Sequence, residues 1–189
     1  LIKDHPSIDH TNLKIQTLTA SGKFGEALKL TRKIMKSKEI NPVLAGRIVS
    51  NMIGIVLGTR DKEHYKMLES LCNRFIQKFR SHPDKTILIT CYEGLNWLNA
   101  INGKEKEFQK LLLTTKKLSV KPLWRQSNEG IKIVNDGKAN TMYNFACGFA
   151  VAGNKTMAMK CLKIADKMHP DASYAKMAKS DSDFLNIKK

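Results

Sequence analysis

The chain lacks the features that mark a membrane-spanning or exported protein. Its 189 residues contain no run of about 18 apolar residues, the length that crosses a bilayer. No basic stretch followed by an apolar block stands at the amino terminus, so no signal peptide is visible. These absences favour a cytoplasmic protein. A processed secreted or periplasmic form stays open, because the chain begins at Leu1 without a methionine and a leader could have been removed.

Motifs for metal binding and catalysis are also absent. The four cysteines are too far apart for the short ligand spacing of a zinc knuckle: Cys72, Cys91, Cys147 and Cys161. Each lies among apolar residues, so we expect buried, reduced thiols. There is no glycine-rich phosphate loop and no metalloprotease signature, and no histidine shares a local motif with a cysteine, a serine or paired carboxylates. The sequence therefore predicts a protein that is not an enzyme and that holds no metal and no cofactor.

Acidic residues are scarce relative to basic ones. The chain has 33 basic and 17 acidic residues, a formal net charge of +16. Such a charge attracts nucleic acid, acidic protein segments or an anionic membrane face. Only six of the basic residues are arginine, however, and nucleic-acid readers favour arginine for its planar fork. Lysine spread along the whole sequence is also typical of a solvating surface, and both interpretations stay open.

Alternation of apolar and polar residues, which predicts a strand, is not sustained anywhere, so we predict an all-α protein. The segment "YNFACGFAVAGNKTMAMKCLKIADKMHP" shows helical periodicity on both sides of Gly153 and Asn154. Gly153 can end the first helix in a left-handed conformation, and Asn154 can cap the second helix, which Pro170 then ends. The segment is therefore predicted to be a helical hairpin.

The same pattern recurs along the sequence, with a glycine at each predicted turn. The turns are predicted at Gly22, Gly58, Gly103 and Gly153. The corresponding units span residues 10–42, 43–82, 84–118 and 139–170. Residues 119–138 are predicted to be an inserted ordered loop, with room for a short helix, pinned by Trp124. Residues 171–189 are predicted to cover the end of the last unit through Tyr174, Met177, Phe184 and Leu185.

The fourth unit resembles a tetratricopeptide repeat. The family's small and large positions, its turn glycine and its closing proline are matched by Ala146, Phe149, Gly153, Ala158, Leu162, Ala165 and Pro170. The first unit matches through Gly22, Ala27 and Pro42, whereas Glu63 and Phe108 stand near positions where the middle units would offer a packing alanine. The tail "KSDSDFLNIKK" resembles the variant that closes such arrays in bacterial proteins, through Asp181, Asp183 and Phe184.

The resemblance implies a right-handed α-solenoid of about four TPR-like helix–turn–helix hairpins with a carboxy-terminal capping segment. In such an array the first helices line a groove that binds a peptide or a helix. The implied function is that of a non-enzymatic scaffold for protein–protein interaction. From the net charge we expect a basic groove and an acidic protein or peptide partner.

Six residues are candidates for contact with that partner. Four are polar positions on first helices, where a carboxamide can bond to a peptide backbone: Asn51, Asn96, Asn99 and Asn144. Lys29 and Arg32 belong to a basic stripe on the second helix of the first unit. Ordinary solvent-exposed helix positions are the alternative interpretation of all six.

Binding of RNA by a helical-repeat protein is the alternative function, supported by the net charge of +16. Helical-hairpin arrays that read RNA use a few side chains per repeat and depend on regular spacing. Because the spacing of the predicted turns is irregular, we favour recognition of a protein over recognition of RNA.

Overall fold

The computed structural model describes residues 8–37, 40–118 and 128–187, with side chains described from residue 10 and, in the last range, from residue 137. These residues form helices, turns and short connections without any strand, which confirms the predicted all-α class. The eight longer helices are α1 (Ile8–Ala20), α2 (Phe24–Met35), α3 (Pro42–Thr59), α4 (Lys62–Phe79), α5 (Thr86–Ile101), α6 (Glu105–Leu118), α7 (Asn128–Val151) and α8 (Lys155–Met168). After α8 come a 3₁₀ turn (Pro170–Ala172), α9 (Tyr174–Ser180) and a second 3₁₀ segment (Ser182–Ile187).

The protein divides into two compact units, Leu1–Gly94 and Leu95–Lys189, so that the boundary falls within α5. In the first unit α1 packs against both α2 and α3, α2 packs against α3, and α3 packs against α4. In the second unit α7 packs against α8 and against the final 3₁₀ segment, and α8 packs against α9. Packing between helices that are close in sequence therefore forms the core of each unit.

Three hairpin turns share one backbone geometry. Gly22, Gly103 and Gly153 have φ angles of 72°, 66° and 76°, a region that residues with a side chain rarely adopt. In each turn the residue after the glycine donates its N–H to the carbonyl five residues earlier, at 2.8 Å; the pairs are Lys23 to Leu18, Lys104 to Asn99 and Asn154 to Phe149. This Schellman arrangement pairs carbonyls at the end of the first helix. The predicted turns at these three glycines are confirmed.

The predicted turn at Gly58 is wrong by two residues. Helix α3 continues to Thr59, and the left-handed residue that follows it is Arg60, with a φ of 53°. Gly58 is required for packing and not for its backbone angle, because a Cβ at this position would overlap the ring of Phe24 at the start of α2. The missing side chain provides space for α2 to pack on α3.

Helix α7 begins earlier than predicted. It has 24 residues from Asn128 to Val151, so residues 128–138 belong to the first helix of the fourth hairpin and not to an inserted loop. Gly130 and Gly137 suggested a loop, but an isolated glycine in a helix costs only about 1 kcal/mol relative to alanine. Residues 119–127, including Trp124, lie outside the described residues.

The carboxy-terminal segment covers α7 with two aromatic side chains. Tyr174 and Phe184 are each 3% exposed. Tyr174 Oη donates to Asn140 Oδ1 at 2.7 Å, which fixes α9 to α7. Met177 and Leu185 were also predicted to cover this end, but they are 47% and 58% exposed, because hydrogen bonds and the two rings already set the position of the segment.

Among the described helices, α3 is long and apolar enough to cross a membrane by length and composition, with a mean hydropathy of 1.4 over 18 residues. Its single charged residue, Arg47, and its small polar residues kept it from being recognised as an apolar run. Within the protein 44% of this helix is buried, and eight of its residues pack in the core of the first unit.

Substitution by alanine is expected to change the free energy of unfolding in opposite directions at two helical glycines. A Cβ on Gly148 would lie 3.0 Å from the Cβ of Ala100 and 3.1 Å from the backbone nitrogen of Ile101. Because overpacking costs about 1–3 kcal/mol and the gain in helix propensity is about 1 kcal/mol, Gly148→Ala is expected to destabilise. Gly46 has nothing within 4 Å of its Cβ position, so Gly46→Ala is expected to stabilise by about 0.5–1 kcal/mol. Urea unfolding of both variants measures this, and shifts of the same sign would refute the close approach of α5 and α7.

The four cysteines are buried and unpaired, as predicted. Burial raises the pKa of Cys161 to about 11. A hydrogen bond with Cys91, followed by burial, raises the pKa of Cys72, and burial beside Asp181 and Asp183 raises that of Cys147.

The raised pKa values of Cys72, Cys147 and Cys161, together with the burial of all four thiols, predict that no thiol reacts in the folded protein. A disulfide reagent near pH 8, close to the ordinary thiol pKa of about 8.5, should label no cysteine until the protein unfolds, and should label all four in guanidinium. Because the folded-state pKa values are raised, the associated stability is complete below the unfolded thiol pKa and is lost as the pH rises above it. A thiol of the folded protein that is labelled at once would contradict the packing of its helix.

Candidate functional site

A cleft lies between α1 and α3 in the first unit. It is lined by Gln16, Thr19 and Ala20 from α1 and by Ser50, Asn51 and Gly54 from α3. Its volume is about 270 Å³, below the roughly 300–1,000 Å³ of sites that enclose a small molecule. The cleft is therefore suited to a few atoms of a larger partner.

Small side chains allow the two helices to approach at the cleft. A Cβ on Gly54 would lie 3.2 Å from Cγ2 of Thr19, so the glycine leaves room for that methyl group. The hydroxyl of Thr19 donates to the carbonyl of Ile15 at 2.9 Å, which holds the side chain in place. Ile15 itself is 0% exposed and anchors α1 in the core, so that Gln16 and Ala20 stay on the open side.

Asn51 is the buried polar side chain of the cleft, with 5% of its surface exposed. Its Nδ2 donates to Oδ1 of Asn12 at 2.9 Å, a bond that joins α3 to α1. Within the described part of the protein no group donates to Oδ1 of Asn51. This oxygen is not among the buried unpaired atoms of the described residues, so Asn51 presents an acceptor that solvent reaches, and one unused Nδ2 hydrogen, at the cleft.

The lining of the cleft contains no titratable side chain. Its polar groups are two carboxamides and two hydroxyls, which form hydrogen bonds but do not exchange protons near neutral pH. On α3 the nearest charged residue is Arg47, which lies one turn before Asn51 and is half-buried. The arrangement therefore offers neutral recognition of polar atoms and no general acid or base.

Charge is divided unequally between the two helices of the hairpins. Each of α3 and α5 carries one charged residue, Arg47 and Glu93 respectively, and α7 carries none between residues 139 and 151. In contrast, α4 and α6 carry six charged residues each. The basic charge that we expected on the first helices lies mainly on the second helices, because the first helices supply most of the apolar core.

Asn96 is a structural residue and offers no surface to a partner. It is 1% exposed. With the carboxamide oriented to match its neighbours, Nδ2 donates to the Phe108 carbonyl at 3.1 Å and Oδ1 accepts from the Leu112 N–H at 3.2 Å. The side chain thus ties α5 to α6, which excludes the predicted contact between Asn96 and a partner.

The other predicted residues do not line the cleft either. Asn99 and Asn144 are half-buried on α5 and α7 in the second unit. Lys29 and Arg32 are exposed on α2, on the face opposite the buried Ala27. Of the six predicted residues, the structure places only Asn51 in the cleft.

The remaining cleft residues were not predicted from the sequence. Gln16 and Thr19 on α1, and Ser50 and Gly54 on α3, are three or four residues apart and so share a helix face. These small or polar residues interrupt the apolar pattern of each helix. That interruption is the feature of the sequence from which the cleft faces could have been predicted. Nothing in the sequence shows, however, that the two faces meet.

A second group of reactive side chains lies in the second unit. Ligand atoms of Cys147, Asp181 and Asp183 all lie within 4.8 Å of one another, a set that a metal ion could use. Hydrogen bonds already organise the group: Tyr143 Oη donates to Asp181 Oδ2 at 2.6 Å, and the Asp183 N–H donates to Asp181 Oδ1 at 2.9 Å. We therefore interpret this group as the contact that holds the carboxy-terminal segment on α7.

Comparisons with protein-family models, with curated proteins and with solved structures found no match.

Proposed function

We propose that the protein is a non-enzymatic protein-interaction module, built from about four tetratricopeptide-like hairpins that stack as a right-handed α-solenoid with a carboxy-terminal cap. Two observations support the stacking. Three turns repeat one geometry, and α1 reaches α3 as well as its own partner α2. In addition, Ala146, Ala158 and Ala165, which carry the resemblance, are all 0% exposed, as residues at a close helix–helix contact are.

The cleft between α1 and α3 is the observation that supports binding of a partner. It presents neutral hydrogen-bonding groups on first helices, and Asn51 leaves an acceptor unused there. Helices α4 and α6 each carry four basic and two acidic residues, and such an excess of positive charge attracts a partner of opposite charge. The proposed partner is accordingly a peptide or protein that is acidic overall.

Selection from a displayed library of random dodecapeptides tests this function. Synthetic copies of the selected peptides should bind in solution, and acidic residues should be enriched among them. Because an exposed charge pair contributes about 0.2–1 kcal/mol, the double change Lys29→Glu with Arg32→Glu should weaken binding of an acidic peptide by roughly two- to tenfold. Unchanged affinity in the double variant would show that these two basic side chains do not contribute to binding, and would contradict the electrostatic part of the proposal.

Binding of RNA is the alternative function, and the net charge of +16 is the observation that favours it. Phosphate contacts release counterions, so the affinity for RNA should fall steeply with salt. Filter binding of a single-stranded RNA at about 50 and 200 mM salt separates the two functions. If RNA is retained tightly at the lower salt and released at the higher salt, while the library yields no binding peptide, that result would favour the alternative function over the proposed one.

A further inference from the structure

The exposed face of α8 is basic along its whole length. The opposite side of the helix is buried in the second unit, where α8 packs against α7. Over about 18 Å of helix, the exposed face carries four lysines: Lys155, Lys160, Lys163 and Lys167. Met159 lies in the middle of this face, four residues before Lys163 and therefore one turn away. Asp171, the exposed carboxylate nearest to these lysines in sequence, follows the end of the helix.

A hydrogen bond brings the start of α9 to the same face. Asp166 Oδ1 accepts from the Ala175 N–H at 3.3 Å. Asp166 comes seven residues after Met159, which places the two side chains on the same side of α8, two turns apart. Lys176 and Met177 follow Ala175 directly, and both are exposed. The first residues of α9 therefore extend the basic face of α8.

Exposed apolar side chains are concentrated in this part of the chain. Six large apolar residues are exposed among the described residues, and three of them fall between residues 155 and 187. Met159 is 42% exposed, Met177 47% and Leu185 58%. Both methionines stand next to a lysine in the sequence. Because methionine is unbranched and flexible, it can enter the headgroup boundary of a bilayer while its helix stays packed on the protein.

We infer that these residues form a surface that docks on an anionic lipid bilayer. This α8–α9 surface consists of Met159, Lys160, Lys163 and Lys167 on α8, and of Lys176 and Met177 on α9. The negative potential of the headgroups attracts the lysines, and the methionines between them add apolar contact. The inference goes beyond the proposed function, because the surface belongs to the second unit, the cleft belongs to the first, and the partner of the surface is not a protein.

The composition of the surface favours a bilayer over a nucleic acid. Residues 126–189 contain no arginine, the side chain whose planar fork matches phosphates and base edges. Bases stack on exposed aromatic rings, but Tyr174 and Phe184, the aromatic residues between 155 and 187, are each 3% exposed. Lysines and methionines provide charge and apolar contact without a fixed geometry, which is sufficient for lipid headgroups.

Flotation of the full-length protein with lipid vesicles tests the inference. The vesicles consist of phosphatidylcholine alone or of phosphatidylcholine with about 30% phosphatidylserine. At about 100 mM salt the protein should float with the anionic vesicles and not with the neutral ones. Raising the salt to about 500 mM should weaken binding to the anionic vesicles, because salt screens the attraction of the lysines.

Two double variants locate the contact. Lys160→Gln with Lys163→Gln should weaken binding to the anionic vesicles roughly 25-fold, about fivefold for each lysine. Lys33→Gln with Lys36→Gln is the matched control, because it removes the same charge from exposed positions with the same spacing on α2. The control should change binding by less than about twofold. All four positions are exposed, so both variants should fold.

A fluorophore at position 159 tests whether the apolar part of the surface enters the bilayer. Met159→Cys can be labelled selectively with an environment-sensitive dye, because the four native thiols are buried. The emission of this dye should shift to the blue when anionic vesicles are added. Leu113→Cys is the control, because Leu113 is 59% exposed on α6, outside the α8–α9 surface. A dye at position 113 should not respond.

The outcomes distinguish this inference from the proposed function. Equal flotation with neutral and anionic vesicles, or flotation with neither, overturns the inference and leaves the interaction module intact. Equal losses in the two double variants, or a dye at position 159 that does not respond while the protein floats, would show that this surface is not the contact. Filter retention of RNA that depends on Lys160 and Lys163, without flotation, would assign the surface to a nucleic acid instead. Selection of no peptide would overturn the proposed function alone.

Discussion

Replacing Phe108 by alanine is expected to lower the free energy of unfolding by about 3–5 kcal/mol. Phe108 is 2% exposed on α6. Its ring centroid lies 5.0 Å from those of Phe145 and Phe149 on α7, edge to face in both pairs. Truncation would leave a cavity between α6 and α7 and would remove both aromatic contacts. Urea denaturation monitored by circular dichroism measures the change.

Leu113→Ala is the matched control on the same helix. Leu113 is 59% exposed, so its truncation should change the free energy of unfolding by no more than about 0.5 kcal/mol. Equal destabilisation by the two variants would mean that α6 does not pack through the Phe108 face. The result also bears on the resemblance, because Phe108 stands near a position where the family pattern expects a packing alanine.

Ala158→Leu carries the next largest expected effect. Ala158 is 0% exposed on α8, and α8 packs along α7. Three additional carbon atoms at this contact must displace α7 or adopt strained rotamers, which costs about 1–3 kcal/mol.

Met159→Leu is the control for this substitution, because the adjacent Met159 is 42% exposed and its replacement removes no close contact. Thermal unfolding compares the two variants. A melting temperature of Ala158→Leu at or above that of the wild type would rule out the close pairing of α7 and α8.

Local sequence signals predicted the hairpins where the required backbone conformation restricts the residue. Gly22, Gly103 and Gly153 need a positive φ, and glycine is nearly the only residue that adopts it freely. The second turn was misplaced because Arg60 adopts the same region without being glycine, while Gly58 serves the packing of Phe24. A glycine needed for space and one needed for its backbone angle look alike in a sequence.

The roles of two asparagines could not be predicted from the helix that carries each of them. Asn51 and Asn96 each precede a buried apolar residue on a first helix, yet Asn96 bonds to the backbone of α6 and Asn51 leaves its oxygen unused beside α1. The difference depends on the neighbouring helix in each unit. The expected basic groove depends on a similar distinction: α3 and α5 carry one charged residue each, and net charge alone does not say which helix of a hairpin carries the lysines.

Amide NMR of the protein during titration with a selected, unmodified dodecapeptide is the most direct test of the account. We predict that the largest shift changes fall on Gln16, Thr19, Ser50 and Gly54 and on the side-chain amide of Asn51, with the exposed residues of α2 and α4 little affected. Changes confined to α2 and α4 would contradict the central claim that the first helices hold the partner.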